Sequence, residues 1–120
     1  MATIFIVDDE PMLHELYGQI LMMSGHEIVA DAYDGDEAIE MFKRMNKPPA
    51  AVIMDHRMPG KDGIETTKEM LKINPDMKII FASADDAIRG DALASGACDF
   101  LSKPFPIGDL LAEIEKMVAA

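Results

Sequence analysis

Residues 3–10 read Thr3-Ile4-Phe5-Ile6-Val7-Asp8-Asp9-Glu10. The first five are β-branched or aromatic, and the last three are acids. A run that is apolar at almost every position has no wet face. It therefore predicts a strand buried on both sides, the habit of parallel sheets sandwiched between helices. The acids then fall where that strand ends.

The same alternation continues outward. Pro11 suits a first helical turn, and Leu13, Leu16, Tyr17, Ile20 and Leu21 recur at helical spacing until Ser24-Gly25 stops them. Residues 27–32 form a second strand. Asp34-Gly35-Asp36-Glu37 has the spacing of a capping box and opens a helix striped by Ile39, Phe42 and Met45. Residues 50–54 are again apolar and deliver Asp55 at the end of a third strand. A loop over 57–61 leads into a helix over 62–73, closed by Asn74-Pro75. Strand four spans 78–82 and ends at Ser83, and helix four spans 85–94. A short strand over 99–101 precedes Ser102-Lys103-Pro104. The last helix carries Ile107, Leu110, Leu111, Ile114 and Val118 on one side. Strands alternating with helices imply right-handed crossovers and an α/β fold: a five-stranded, doubly wound parallel sheet with helices on both faces.

A chain of 120 residues, 49% hydrophobic and 28% charged, is expected to form one domain over 1–120. No apolar run approaches the ~20 residues of a membrane span, and no basic stretch opens a signal peptide, so no membrane insertion and a cytoplasmic setting are expected. Met at residue 1 and the absence of a trailing linker lean toward a stand-alone chain over a domain cut from a longer one. The single cysteine, Cys98, is expected to be a small buried residue. Most of the eleven methionines are expected to fill the core, and His14 and His26 are given no role. The net charge of −11 argues against direct contact with nucleic acid and suits a divalent cation.

Parallel α/β sheets place ligands beyond the carboxyl ends of their strands. Those ends carry Asp8, Asp9 and Glu10, then Asp55, Ser83 and Lys103. Gathered acids are expensive: two like charges ~4 Å apart repel by roughly 4 kcal/mol at an effective dielectric of about 20. Either a carboxyl takes up a proton or a cation sits among them. Hard oxygen donors suit Mg²⁺, with Mn²⁺ a possible substitute. The alternative is that Asp8 and Asp9 merely cap the first helix. A carboxylate so placed can attack a phosphoryl donor. No Gly-rich loop with Lys and Ser/Thr supplies a nucleotide site, so the phosphoryl group is expected from a partner or a small phosphodonor.

Asp8-Asp9, Val52-Ile53-Met54-Asp55 followed by Met58-Pro59 and Asp62-Gly63, Ser83-Ala84, and Lys103-Pro104-Phe105 stand in the order and approximate spacing of response-regulator receiver domains. Over essentially its whole length the chain resembles that family, in particular the chemotaxis-regulator-like members of two-component signalling. The resemblance implies a flavodoxin-like strand order 2-1-3-4-5, with Asp55 as phosphoacceptor. It implies metal ligation by Asp9 and Asp55, by Asp8 chiefly through a bound water, and by the Arg57 backbone carbonyl. Lys103 resembles the lysine that pairs with the phosphoryl oxygens, and its bond to Pro104 is expected to be cis. Ser83 resembles the switch hydroxyl and Phe100 the aromatic that reports its movement. Implied partners are a histidine kinase or phosphotransfer protein, an output partner on the surface of helix four, strand five and helix five, and a second copy on phosphorylation. Slow autodephosphorylation is implied as well.

The chain also departs from the pattern. The family often has Thr where Ser83 stands, Tyr where Phe100 stands and an apolar residue where His56 stands. A phenolic hydrogen bond is therefore not available at Phe100, and His56 is expected to face solvent or cap. Arg57 and Asp85 flank the site, either tuning water access or pairing with each other. Two other classes remain to be separated. A haloacid-dehalogenase-like phosphatase shares the Asp nucleophile but needs a second Asp where Arg57 stands, together with a cap domain. A flavin carrier needs a hydroxyl-rich phosphate loop where this chain has three acids.

Overall fold

The computed structural model describes residues 2–119, with side chains through residue 117. Met1 and the Val118 side chain of the expected last stripe lie outside that description. Five strands, β1 (Thr3–Val7), β2 (Glu27–Ala32), β3 (Ala51–Met54), β4 (Ile79–Ser83) and β5 (Asp99–Ser102), form one sheet in the order β2-β1-β3-β4-β5. Every neighbouring pair is parallel. The helices between and after them are α1 (Pro11–Met23), α2 (Gly35–Arg44), α3 (Gly63–Ile73), α4 (Arg89–Ala94) and α5 (Ile107–Ala119). No helix among the described residues is long and apolar enough to cross a membrane.

The unbroken apolar strands supply two cores, one on each face. Ile4 and Ile6 of β1 and Ala51 and Ile53 of β3 pack with Tyr17 and Leu21 of α1 and Leu110 and Ile114 of α5. Phe5, Val7, Val52 and Met54 point the other way, toward Ala38 and Phe42 of α2, Met70 of α3 and Ala92 of α4. A β-strand turns successive side chains to opposite faces, so a strand covered on both sides must be apolar throughout. Each fully buried large side chain contributes about 1.5–3 kcal/mol.

Register positions the site. Val7 lies beside Met54, so β1 and β3 finish level, and Ser83 lies beside Ser102 at the ends of β4 and β5. The direction of winding reverses between β1 and β3, which opens a crevice there.

Local chemistry differs from the sequence reading in several places. The capping box forms at Asp62 and Glu65, each side chain bonded to the other's backbone N–H. At α2, Asp34 accepts from the Glu37 N–H, but the Glu37 carboxylate reaches the Tyr33 N–H instead of that of Asp34. Helix four starts late: residues Asp86–Ile88 are a 3-10 turn, and only Ala92 of α4 is buried. Asp85 accepts from the Ala87 N–H and so closes a tight turn, while little packing rewards a longer α-helix.

On α1 the buried residues are His14, Tyr17 and Leu21, whereas Leu16 and Met12 are exposed. Seven of the ten described methionines lie in or against the core, and Met12, Met22 and Met23 face out. Cys98 is exposed, contrary to expectation. Its backbone N–H pairs with the Ile79 carbonyl at the start of β5, which leaves the thiol outside the cores.

Candidate functional site

The sheet's own hydrogen bonds carry the site residues past the strand ends. The Asp8 N–H donates to the Ala32 carbonyl at 3.1 Å, that of Asp55 to Val7 at 2.9 Å, and that of Lys103 to Ser83 at 2.8 Å. Each functional residue is thus seated one step beyond a buried, rigid strand. Gly63 closes the floor, since a Cβ there would lie 2.2 Å from the Asp55 carbonyl oxygen. Only glycine lets the start of α3 approach β3 so closely.

The side chains converge. Lys103 Nζ donates to Asp8 Oδ2 at 3.1 Å and to Asp55 Oδ1 at 3.5 Å. Asp8, Asp9 and Asp55 each offer a carboxylate oxygen, all within 4.8 Å of one another. Asp8 and Asp55 are buried and Asp9 is exposed. Asp9, Asp55, Arg57, Ser83, Asp85 and Lys103 line a crevice of about 710 Å³.

Charge here follows from crowding. Burial first, then the neighbouring Asp8 carboxylate, push the Asp55 carboxyl up from 3.8 to about 6, against the pull of Lys103. Burial alone would lower the Lys103 ammonium, but Asp55 and Asp8 overcome it and hold the group above its usual value. Three carboxylates facing one ammonium leave two negative charges unmatched once all are ionised. A hard dication fits that deficit, and the donor set is all oxygen.

The capping alternative for Asp8 and Asp9 does not hold. The N-cap of α1 is Glu10, with no side-chain cap bond. Asp8 instead accepts from the Glu10 N–H at 3.0 Å and from Lys103.

The other expected residues have distinct places. Ser83 is buried at the crevice wall, and its Oγ accepts from the Asp85 N–H at 3.1 Å. Phe100 lies outside the crevice, in the core beneath α4. Its ring stacks on Phe81 at 6.3 Å between centroids, and the Arg89 guanidinium sits 4.9 Å above it. The Lys103–Pro104 peptide is cis. Arg57 and Asp85 pair with each other at 3.1 Å across the crevice mouth. His56 neither faces solvent fully nor caps: it is half-buried, its Nδ1 has no protein partner, and its ring lies 6.4 Å from that of Phe81.

Sequence reasoning passed over His14. Its Nε2 meets the Asp8 carbonyl at 2.7 Å and its Nδ1 the Asp31 carboxylate at 2.6 Å. The available signal was position: His14 stands three residues before Tyr17 and seven before Leu21, on the stripe that α1 buries. A polar residue on such a stripe needs partners.

Comparison with known proteins agrees with this geometry. Residues 4–115 match the response regulator receiver domain family. The chemotaxis protein CheY of Thermotoga maritima is 35% identical over 116 residues, 95% of each chain. Response regulator protein TrrA of Thermotoga maritima, solved in complex with Mg²⁺-BeF, superposes with a TM-score of 0.87 at 35% identity, covering 98% of this chain and 99% of that one. CheY in the CheX-CheY-BeF3-Mg²⁺ complex of Borrelia burgdorferi gives a TM-score of 0.90 at 27% identity, covering 97% and 88%. With an acid cluster at the strand ends, a matching sheet order and a family match over most of its length, the chain belongs to the response regulator receiver domain family, the phosphoacceptor domains of two-component signalling.

Proposed function

We propose that Asp55 is the phosphoacceptor and that residues 1–120 act as one receiver unit. In this reading Asp8, Asp9 and Asp55, with the Arg57 main-chain carbonyl, hold Mg²⁺, and Mn²⁺ substitutes for it. Bound there, the dication offsets the acids and the incoming phosphoryl oxygens. The observation that carries the reading is the meeting of Lys103 Nζ with Asp8 and Asp55 at 3.1 and 3.5 Å beside Asp9.

The donor is a phosphohistidine on a histidine kinase or phosphotransfer protein. An Asp55 carboxylate oxygen attacks phosphorus, the new O–P bond forms as the P–N bond breaks, and the imidazole leaves with the bonding pair. Lys103 gives up its contacts with the two acids to pair with phosphoryl oxygens. The Ser83 hydroxyl, already on the crevice wall, turns its proton toward the new charge. Phe100, packed between β5 and α4, responds to that movement by changing how deeply it is buried. The output surface is therefore α4, β5 and α5. It engages an output partner or a second copy of the chain, and water later attacks phosphorus, breaking the O–P bond to release inorganic phosphate and return the Asp55 carboxylate. The work belongs in the cytoplasm, where such kinases present their phosphohistidine. The similar CheY of Borrelia burgdorferi is complexed with CheX, which supports a protein partner at this domain.

Incubation with acetyl phosphate and Mg²⁺, followed by intact mass, tests the assignment. The parent should gain one phosphoryl unit and Asp55→Asn none. Equal labelling of the two would move the acceptor elsewhere.

A further inference from the structure

His14 reaches back six residues from the first turns of α1 to the end of β1. Its Nε2 donates to the Asp8 carbonyl at 2.7 Å, because a carbonyl offers only lone pairs. On its other side, Nδ1 contacts Asp31 Oδ1 at 2.6 Å, at the end of β2. Tyr33 covers the ring, with centroids 4.2 Å apart. The imidazole is buried, and the Asp31 side chain is 41% exposed.

Consider what else fixes Asp8. Its N–H is held by Ala32, and its two carboxylate oxygens accept from Glu10 and Lys103. The carbonyl is its remaining backbone handle, and His14 holds it. A peptide unit is planar, so pinning the Asp8 C=O also sets the direction of the Asp9 N–H and of the chain entering Asp9. The Asp8 carboxylate spans the loop to the Glu10 N–H, and the α1 N-cap at Glu10 adds no side-chain bond of its own.

We propose that His14 is a positioning residue for the acid pair: it holds the Asp8–Asp9 peptide in the orientation that presents both carboxylates to the divalent cation, and Asp31 in turn orients His14. This rests on the reading of Asp8, Asp9 and Asp55 as the Mg²⁺ site. The arrangement extends the familiar principle that groups bonded to metal ligands hold them in place, where removing such a support costs roughly 10–100-fold in metal affinity.

The test is a MgCl₂ titration of the full chain, followed by the ¹H–¹⁵N amide shifts of Asp9 and Asp55, for the parent, His14→Leu, His14→Arg and Asp31→Ala. Thermal unfolding without metal is measured alongside. His14→Leu should weaken Mg²⁺ by about tenfold or more. Asp31→Ala, made at a side chain that is 41% exposed, should weaken it in the same direction. His14→Arg, which keeps donors for both acceptors, should recover most of the affinity. At saturating Mg²⁺ the acetyl phosphate labelling rate of His14→Leu should return close to that of the parent. If the parent binds Mg²⁺ and both His14→Leu and Asp31→Ala bind it equally well, His14 is only a packing residue and the proposal is overturned, whatever happens to the melting temperature. A parent that does not bind Mg²⁺ overturns the metal reading itself, and this proposal with it.

Discussion

Asp55 shows how a single side chain can work against the fold that holds it. Its carboxyl sits at about 6 in the folded chain, against 3.8 for an ordinary aspartate. The folded state therefore keeps a proton that the unfolded chain has already lost. In metal-free protein this destabilises the fold progressively as pH rises through that window, and the loss is complete above pH 6. At 1.36 kcal/mol per pKa unit, the loss is on the order of 2–3 kcal/mol. Asp55→Asn should therefore raise the metal-free melting temperature at pH 7.5 by several degrees and leave it little changed at pH 4. Calorimetry at the two pH values checks both the sign and the window. A variant destabilised at neutral pH would show that the acid cluster is relieved in some other way.

Between strands and helices, two glycines make opposite predictions. Gly63 opens α3 against the end of β3, where an added Cβ would meet the Asp55 carbonyl oxygen at 2.2 Å and the His56 Cα at 2.8 Å. Both are backbone atoms that cannot rotate away. Gly63→Ala should cost roughly 1–3 kcal/mol or more by urea unfolding. Gly90 stands in the short α4 with nothing within 4 Å of an added Cβ. Gly90→Ala should stabilise by up to about 1 kcal/mol, because alanine forfeits less backbone entropy. Two variants of equal sign would mean that packing at α3 is looser than the geometry implies. The 3-10 turn before α4 belongs to the same scale. Helical spacing alone gave one helix over 85–94, but a segment with one buried residue has little to select the α form over a tighter turn.

For the whole molecule, a net charge of −11 includes a cluster of three acids, Asp8, Asp9 and Asp55, gathered at the strand ends. A ligand that binds only the folded state stabilises it by mass action, by about 2.7 kcal/mol at a hundred times its dissociation constant. Mg²⁺ should raise the melting temperature of the parent, and stripping it with chelator should reverse the gain. The same Mg²⁺ concentration should stabilise less at pH 5.5, because protons compete for Asp55. Equal stabilisation at both pH values would remove Asp55 from the metal site.

Much of this was legible in the chain itself: apolar runs long enough only for strands, helical stripes between them, and chemistry-bearing residues just past each run, which predict a parallel sheet with Asp8, Asp9, Asp55, Ser83 and Lys103 at one edge. Those features are local, set by side-chain periodicity and by where it breaks. The remainder depended on contacts between segments far apart in sequence. The His14 bridge to Asp8 and Asp31, the Arg89 guanidinium over Phe100 and the exposure of Cys98 needed the sheet to be assembled first, as did the choice between the two readings of Arg57 and Asp85. A hydrogen bond forms where two chain segments happen to be brought within 3 Å, and spacing along one segment does not encode that distance.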